Sequence, residues 1–172
     1  NRKDEEPKSK DDWGNVVSEI INNSPLFDIE ISASPFVFGD FDIEVIVKAL
    51  ENVDGEYNIV IAITEDSIVD WQKNGSYDDS VYVHNHVLRA IINNTWGENL
   101  KSSNNYSANE EINLSYNISI SSLEQFNINH STNELFMGNG NTGSWDTNKL
   151  NIVAYIYNVD NKEIIQVEEL HL

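Results

Sequence analysis

Apolar and polar residues alternate with a period of two in several separate stretches of this chain, and that pattern constrains the fold more than any other feature. Phe27, Ile29, Ile31 and Ala33 alternate with Asp28, Glu30 and Ser32. Phe41, Ile43, Val45, Val47 and Ala49 do the same against Asp42, Glu44 and Lys48, and Ile112, Leu114, Tyr116, Ile118 and Ile120 against Asn and Ser. Successive side chains of a strand point to opposite faces, so each stretch reads as a strand with one buried face. The run Tyr57-Asn58-Ile59-Val60-Ile61-Ala62-Ile63-Thr64 is apolar on both faces and reads as a central strand. Leu150–Tyr157 and Ile164–Leu170, joined by Asn158-Val159-Asp160-Asn161-Lys162, read as a closing β-hairpin.

A single helical pattern interrupts this picture. Trp13, Val16, Val17, Ile20 and Ile21 recur at helical spacing behind a capping Asp11 or Asp12, and Asn22-Asn23-Ser24-Pro25 stops the run. Without helices between strands, parallel βαβ units are excluded. The expected architecture is therefore all-β in the main: an antiparallel immunoglobulin/fibronectin-like β-sandwich of about seven strands, with one N-terminal helix and long loops. Residues 1–11 contain nothing apolar and read as a flexible tether; 12–172 read as a single β-sandwich domain on which helix 12–22 docks. Residues 66–74 are expected to form one or two helical turns, 81–92 one long extended segment, and 95–108 and 121–148 loops.

Charge narrows the classes of partner. Twenty-nine Asp and Glu against 10 Lys and Arg leave a formal charge of −19 over 172 residues. A nucleic-acid binder needs Lys and Arg to displace counterions from phosphates, so that class is excluded. With no cysteine, disulfide frameworks, thiolate zinc sites and cysteine nucleophiles are excluded too. No apolar run reaches the eighteen or so residues a spanning helix needs.

Candidate chemistry is sparse. His84 and His86 lie at i and i+2, which on a continuous strand puts both imidazoles on one face. Two zinc nitrogens could come from that pair, with Glu65, Asp66, Asp78 or Asp79 as a third ligand. The plainer alternative buries one ring in hydrogen bonds, covers the other with a loop, and pairs Arg89 with Glu65 or Asp66. The acidic runs Asp40-Phe41-Asp42-Ile43-Glu44, Asp54-Gly55-Glu56 and Glu168-Glu169 match no calcium-loop spacing and read as solvated surface. Trp71, Trp96 and Trp145, with Tyr77 and Tyr106, fall at expected strand ends or loops. There they would serve either as stacking faces for sugars or as packing at the margin of a core. The run Gly138-Asn139-Gly140-Asn141-Thr142-Gly143 lacks the lysine and the strand–helix setting of a phosphate loop. No catalytic residue and no cofactor are called for.

One group of residues is more particular than generic sandwich patterning. Ile63-Thr64-Glu65-Asp66-Ser67-Ile68 with Trp71-Gln72, then Tyr82-Val83-His84-Asn85-His86-Val87-Leu88-Arg89 and Thr95-Trp96-Gly97-Glu98, resembles the C-terminal region of a bacterial family. That family is named after the twenty-eight-kilodalton outer membrane protein of Bacteroidetes. Asn151–Tyr157 and Glu163–Val167 extend the resemblance, which covers roughly residues 12–172 and is weakest over 121–143. Glu65, Asp66, His84, Asn85, His86 and Arg89 stand as its structural motif.

The resemblance implies an exported, lipid-anchored protein at the outer membrane, cell surface or periplasm. It implies an immunoglobulin-like domain, with roles in adhesion or reception suggested. Many members carry a thioredoxin-like region ahead of this one, whereas here a tether and one helix precede the first strand; an excised domain or a short lipid-anchored member would both fit. The expectation is a non-enzymatic binding or adhesion domain with an unknown protein or glycan partner, meeting membrane only through an upstream lipid anchor. A carbohydrate-binding accessory module is one alternative, predicting coplanar exposed Trp and Tyr rings. A metal-dependent hydrolase is the other, predicting that His84 and His86 converge on a pocket with an acid.

Overall fold

The computed structural model describes residues 9–134 and 145–172. Its strands, in chain order, are β1 Phe27–Ala33, β2 Asp40–Ala49, β3 Val53–Asp54, β4 Tyr57–Glu65, β5 Ile68–Asn74 and β6 Tyr77–His84. They continue as β7 Val87–Ile91, β8 Glu98–Asn99, β9 Asn105–Tyr106, β10 Glu111–Ser119, β11 Leu150–Asn158 and β12 Ile164–His171. Two helices accompany them, α1 Trp13–Ile20 and α2 Ile120–Asn133.

The alternating segments form two facing sheets. One is three-stranded in the order β1-β2-β10; the other runs β12-β11-β4-β7, with β8 also pairing β4. All of these pairings are antiparallel. The inward residues read from the alternation meet between them. Phe27, Ile29, Phe41, Ile43, Val45 and Val47 of the smaller sheet are buried with Ile59, Ile61, Ile63, Ile152, Ala154 and Ile156 of the larger. The chain is a β-sandwich. β4 is central as its sequence requires, paired with β11 along one edge and with β7 and β8 in succession along the other. An aromatic cluster closes one end, where Phe27, Tyr57 and Tyr106 meet edge to face at 5.1–5.8 Å.

Three expectations are corrected. Residues 68–74, expected as helical turns, form β5 and pair with β6. The pairing partner lies across the turn, so cross-strand contacts decide the conformation and local propensity does not. The expected extended segment 81–92 is two strands, because His86 adopts φ 53°, a left-handed geometry that ends β6 and starts β7. Within 121–148, expected as loop, residues 120–133 form α2. Its Asn- and Ser-rich sequence carries no apolar stripe, and it buries only Ile120 and Ser131; the phosphate-loop resemblance at 138–143 lies outside the described residues. Helix 12–22 forms as α1 behind a short 3-10 turn, Lys10–Asp12, but none of its residues is buried, and Val17 and Ile21 remain mostly exposed. Its apolar stripe does not enter the core.

Candidate functional site: the kinked ribbon

β4 and β7 leave the sandwich together and continue as β5 and β6. The pairing Glu65↔Val87 that ends the sheet is followed, after a short break, by Ile68↔His84. The break consists of Asp66 and Ser67 on one side and Asn85 and His86 on the other. Both Ser67 (φ 60°) and His86 (φ 53°) are left-handed, so the ribbon kinks here and interrupts the ladder.

The backbone groups freed by the kink are met by side chains from the opposite strand. Asn85 Oδ1 accepts from the Ser67 amide at 3.0 Å, and Asp66 Oδ1 accepts from the His86 amide at 2.7 Å. Each strand therefore caps the other, which is how Asn and Asp stabilise irregular backbone. Asp66 is held from below as well. The Asn151 amide donates to its Oδ2 at 3.0 Å, and the Asp66 amide donates to Lys149 O. The His86 amide, then the Asn151 amide and the nearby His86 ring hold the Asp66 carboxyl below the usual carboxylate range against the opposing effect of burial. Asn151 passes the link onward, its Oδ1 meeting His171 Nδ1 at 2.5 Å. The His86 ring lies between two acids, Nδ1 3.5 Å from Asp66 Oδ1 and Nε2 3.1 Å from Glu169 Oε1. His86 and Glu169, with Val153, Val167 and Glu168, line a shallow depression of about 350 Å³.

A second anchor lies on the core side. Arg89 Nε approaches Glu65 Oε2 at 3.2 Å with both side chains nearly buried, as the plainer reading of Arg89 anticipated. The Arg89 guanidinium also sits 5.0 Å over the Trp145 ring. Glu65 Oε1 accepts from the Asp146 amide, Glu124 of α2 accepts from the Trp145 amide, and Asn127 of α2 donates to Arg89 O. The helix missed in the sequence thus clamps the base of the ribbon.

Beyond the kink the ribbon stands apart from the core formed by the described residues. Its described residues include none that is buried, and Val69, Trp71, Val81 and Val83 are exposed, Trp71 to 67 % and Val81 to 71 %. Val69 pairs with Val83, and Trp71 and Val81 lie two residues further along their strands, where the ladder bulges. The register shifts between Asp70 and Gln72, and the carboxylates of Asp70 and Asp79 accept from the Trp71 and Val81 amides there. Tyr82 and His84 stack edge to face on the other side at 4.8 Å.

The sequence candidates separate accordingly. His84 and His86 do not share a face, because the left-handed His86 breaks the alternation that would align them. Among the described residues, no three His, Cys, Asp or Glu side chains converge as a metal ion requires. Trp96 is 69 % exposed, but its carbonyl accepts from Asn58 and Tyr157 at the far end of β4 from the ribbon. Asn58 and Glu65 are seven residues apart on one strand, roughly 23 Å at strand rise, so Trp71 and Trp96 do not make one stacking platform. Trp145 is buried at 8 % exposure and Tyr106 at 1 %. The sequence reading missed Asn151, Glu169 and His171. A buried Asn inside the apolar run 150–157 was the available signal.

With this geometry in view, the sequence profile of the family described as "Outer membrane protein Omp28" matches residues 1–132. The chain belongs to the Omp28 family. The matched span contains all six motif residues, Glu65, Asp66, His84, Asn85, His86 and Arg89, but ends before β11 and β12. Family membership associates the chain with the outer membrane. Among solved structures, it is similar to a domain of the outer membrane lipoprotein Omp28 from Porphyromonas gingivalis. That match has a TM-score of 0.51 at 19 % identity and covers 86 % of this chain and 88 % of that one. It is also similar to HBP35 of Porphyromonas gingivalis, with a TM-score of 0.62 at 10 % identity, covering 92 % of this chain. This chain spans 45 % of the HBP35 chain. At these identities the likeness concerns the fold. No curated protein sequence matches the chain. In this Omp28-family domain, the motif residues sit where the ribbon leaves the sandwich.

Proposed function

We propose that this outer-membrane-associated domain is a non-enzymatic binding module, tethered by an upstream lipid anchor, that meets its partner with the β5–β6 ribbon. The observation that carries this reading is the ribbon itself: a projecting two-stranded element with an exposed apolar face, held at a set angle by a dedicated joint. A solvated surface hairpin ordinarily turns charged or polar residues to water, and a contiguous apolar face marks an interaction site. The side chains best suited to acid–base work support the non-enzymatic part. Asp66, Glu65 and His86 are all engaged in holding the joint.

The test is site-directed photocrosslinking in the protein's own cells. A photoreactive residue at Trp71 or Val81 is expected to yield a discrete adduct. The same residue at the exposed Glu30 on β1, remote from the ribbon, is expected to yield none. Equal yield at all three positions, or no adduct from the ribbon, would overturn the proposal.

A further inference from the structure

We infer that the ribbon's partner is a cationic protein segment, one that lays apolar side chains on the Val69/Trp71/Val81/Val83 face and sets Lys or Arg against the acidic margin of the ribbon. The inference rests on the reading of the ribbon as the contact surface and adds the chemistry of what it contacts.

Three features of the ribbon select that chemistry. The apolar face is mainly aliphatic: three of its four residues are valines, and only Trp71 offers a flat ring. Sugar binding needs aromatic planes to stack on, whereas branched aliphatic knobs suit the apolar side chains of a polypeptide. Exposed Trp and Val on strands that, among the described ones, pair only with each other also match the way an extended segment of another protein adds to a sheet.

The second feature is charge. Asp70, Asp78 and Asp79 carry the ribbon's margin against Lys73 alone. Lys73 stands directly across from Asp78 in the register, so its charge is offset locally. Asp70 and Asp79 each accept one backbone amide at the register shift. Each retains further lone pairs for a donor from outside.

The third feature is the field of the rest of the molecule. Any partner that reaches the ribbon approaches a body of net charge −19. That field repels a second copy of this chain, an acidic protein or an anionic lipid surface, and it draws in a basic one. An apolar face within an acidic field selects a partner that is apolar at its centre and basic at its rim.

The experiment extends the crosslinking to the identity of the adduct. Protein carrying the photoreactive group at Val81 is crosslinked in its own cells. The adduct is then digested, and the attached segment is sequenced by mass spectrometry. The expected segment is a polypeptide with apolar residues and more Lys and Arg than Asp and Glu. In a second arm, the combined substitution Asp70→Lys, Asp78→Lys and Asp79→Lys is expected to reduce adduct yield by about tenfold or more, as removal of interfacial charge complementarity does. An unchanged thermal midpoint for that variant shows that the fold is retained. An adduct to glycan or lipid, an acidic segment, a second copy of this chain, or full yield from the charge-reversed variant would each overturn this inference and leave the ribbon as a binding surface. Absence of any ribbon-specific adduct would remove both.

Discussion

Gly97 shows how one residue can be fixed by its surroundings. It sits at φ 69°, and a Cβ there would lie 2.1 Å from the carbonyl oxygen of Ile59. Both the left-handed backbone and the close approach to β4 require glycine. Gly97→Ala is expected to destabilise the domain by about 2 kcal/mol or more, read from urea unfolding. Arg89 is fixed for a different reason. Removing it leaves the buried Glu65 carboxylate without its cation, so Arg89→Ala is expected to cost about 3–5 kcal/mol in the same measurement. A loss below 1 kcal/mol would show that the pair is solvated in practice.

Asp66 makes the joint sensitive to acid, and the direction follows from its lowered pKa. A carboxyl whose folded pKa lies below its ordinary 3.8 contributes stability that is fully present above the ordinary value. That contribution is lost as pH falls toward the folded one. Asp66→Asn removes it, so the variant is expected to lose less stability than the wild type between pH 5 and pH 2. Urea midpoints compared at those pH values provide the check, and parallel pH profiles would contradict the assignment.

At the scale of elements, the sandwich strands and the ribbon obey different rules. Ile61 in β4 is fully buried, and Ile61→Ala is expected to cost about 2–5 kcal/mol because it opens a cavity. Val81 faces solvent, so Val81→Asp is expected to change stability by less than about 0.5 kcal/mol while abolishing ribbon adducts. Thermal melts of the two variants separate an element kept for packing from one kept for contact. α2 belongs to neither class. Its two buried residues and its bonds to Arg89 and Trp145 give it a clamping role that no periodicity announced, since Asn and Ser at six of its fourteen positions leave no clear apolar stripe to read.

At the scale of the whole molecule, charge and topology set the remaining behaviour. A net charge of −19 over 172 residues means mutual repulsion that salt screens. The thermal midpoint is expected to rise as sodium chloride increases from about 10 to 300 mM, where the screening length contracts below 10 Å. A midpoint that falls would show that attractive pairs such as Lys101–Glu110 outweigh the repulsion. Hydrogen exchange should follow the topology, slowest in β4 and β11 at the centre of the larger sheet and fastest in β5 and β6.

The sequence alone determined the sandwich, because a period of two repeated across segments with one apolar face admits few other solutions. It also determined the central place of β4, whose residues are apolar on both faces, and it singled out the motif Glu65, Asp66, His84, Asn85, His86 and Arg89. It could not say what that motif does. His84-Asn85-His86 reads as one strand until His86 turns left-handed, and that turn depends on Asp66 from across the ribbon and Asn151 from another strand. The same holds for β5, whose partner lies beyond a turn. Alternation is a local property and survives in the sequence. The kink and the clamp depend on side chains meeting over long separations in the chain, and only the folded structure brings those together.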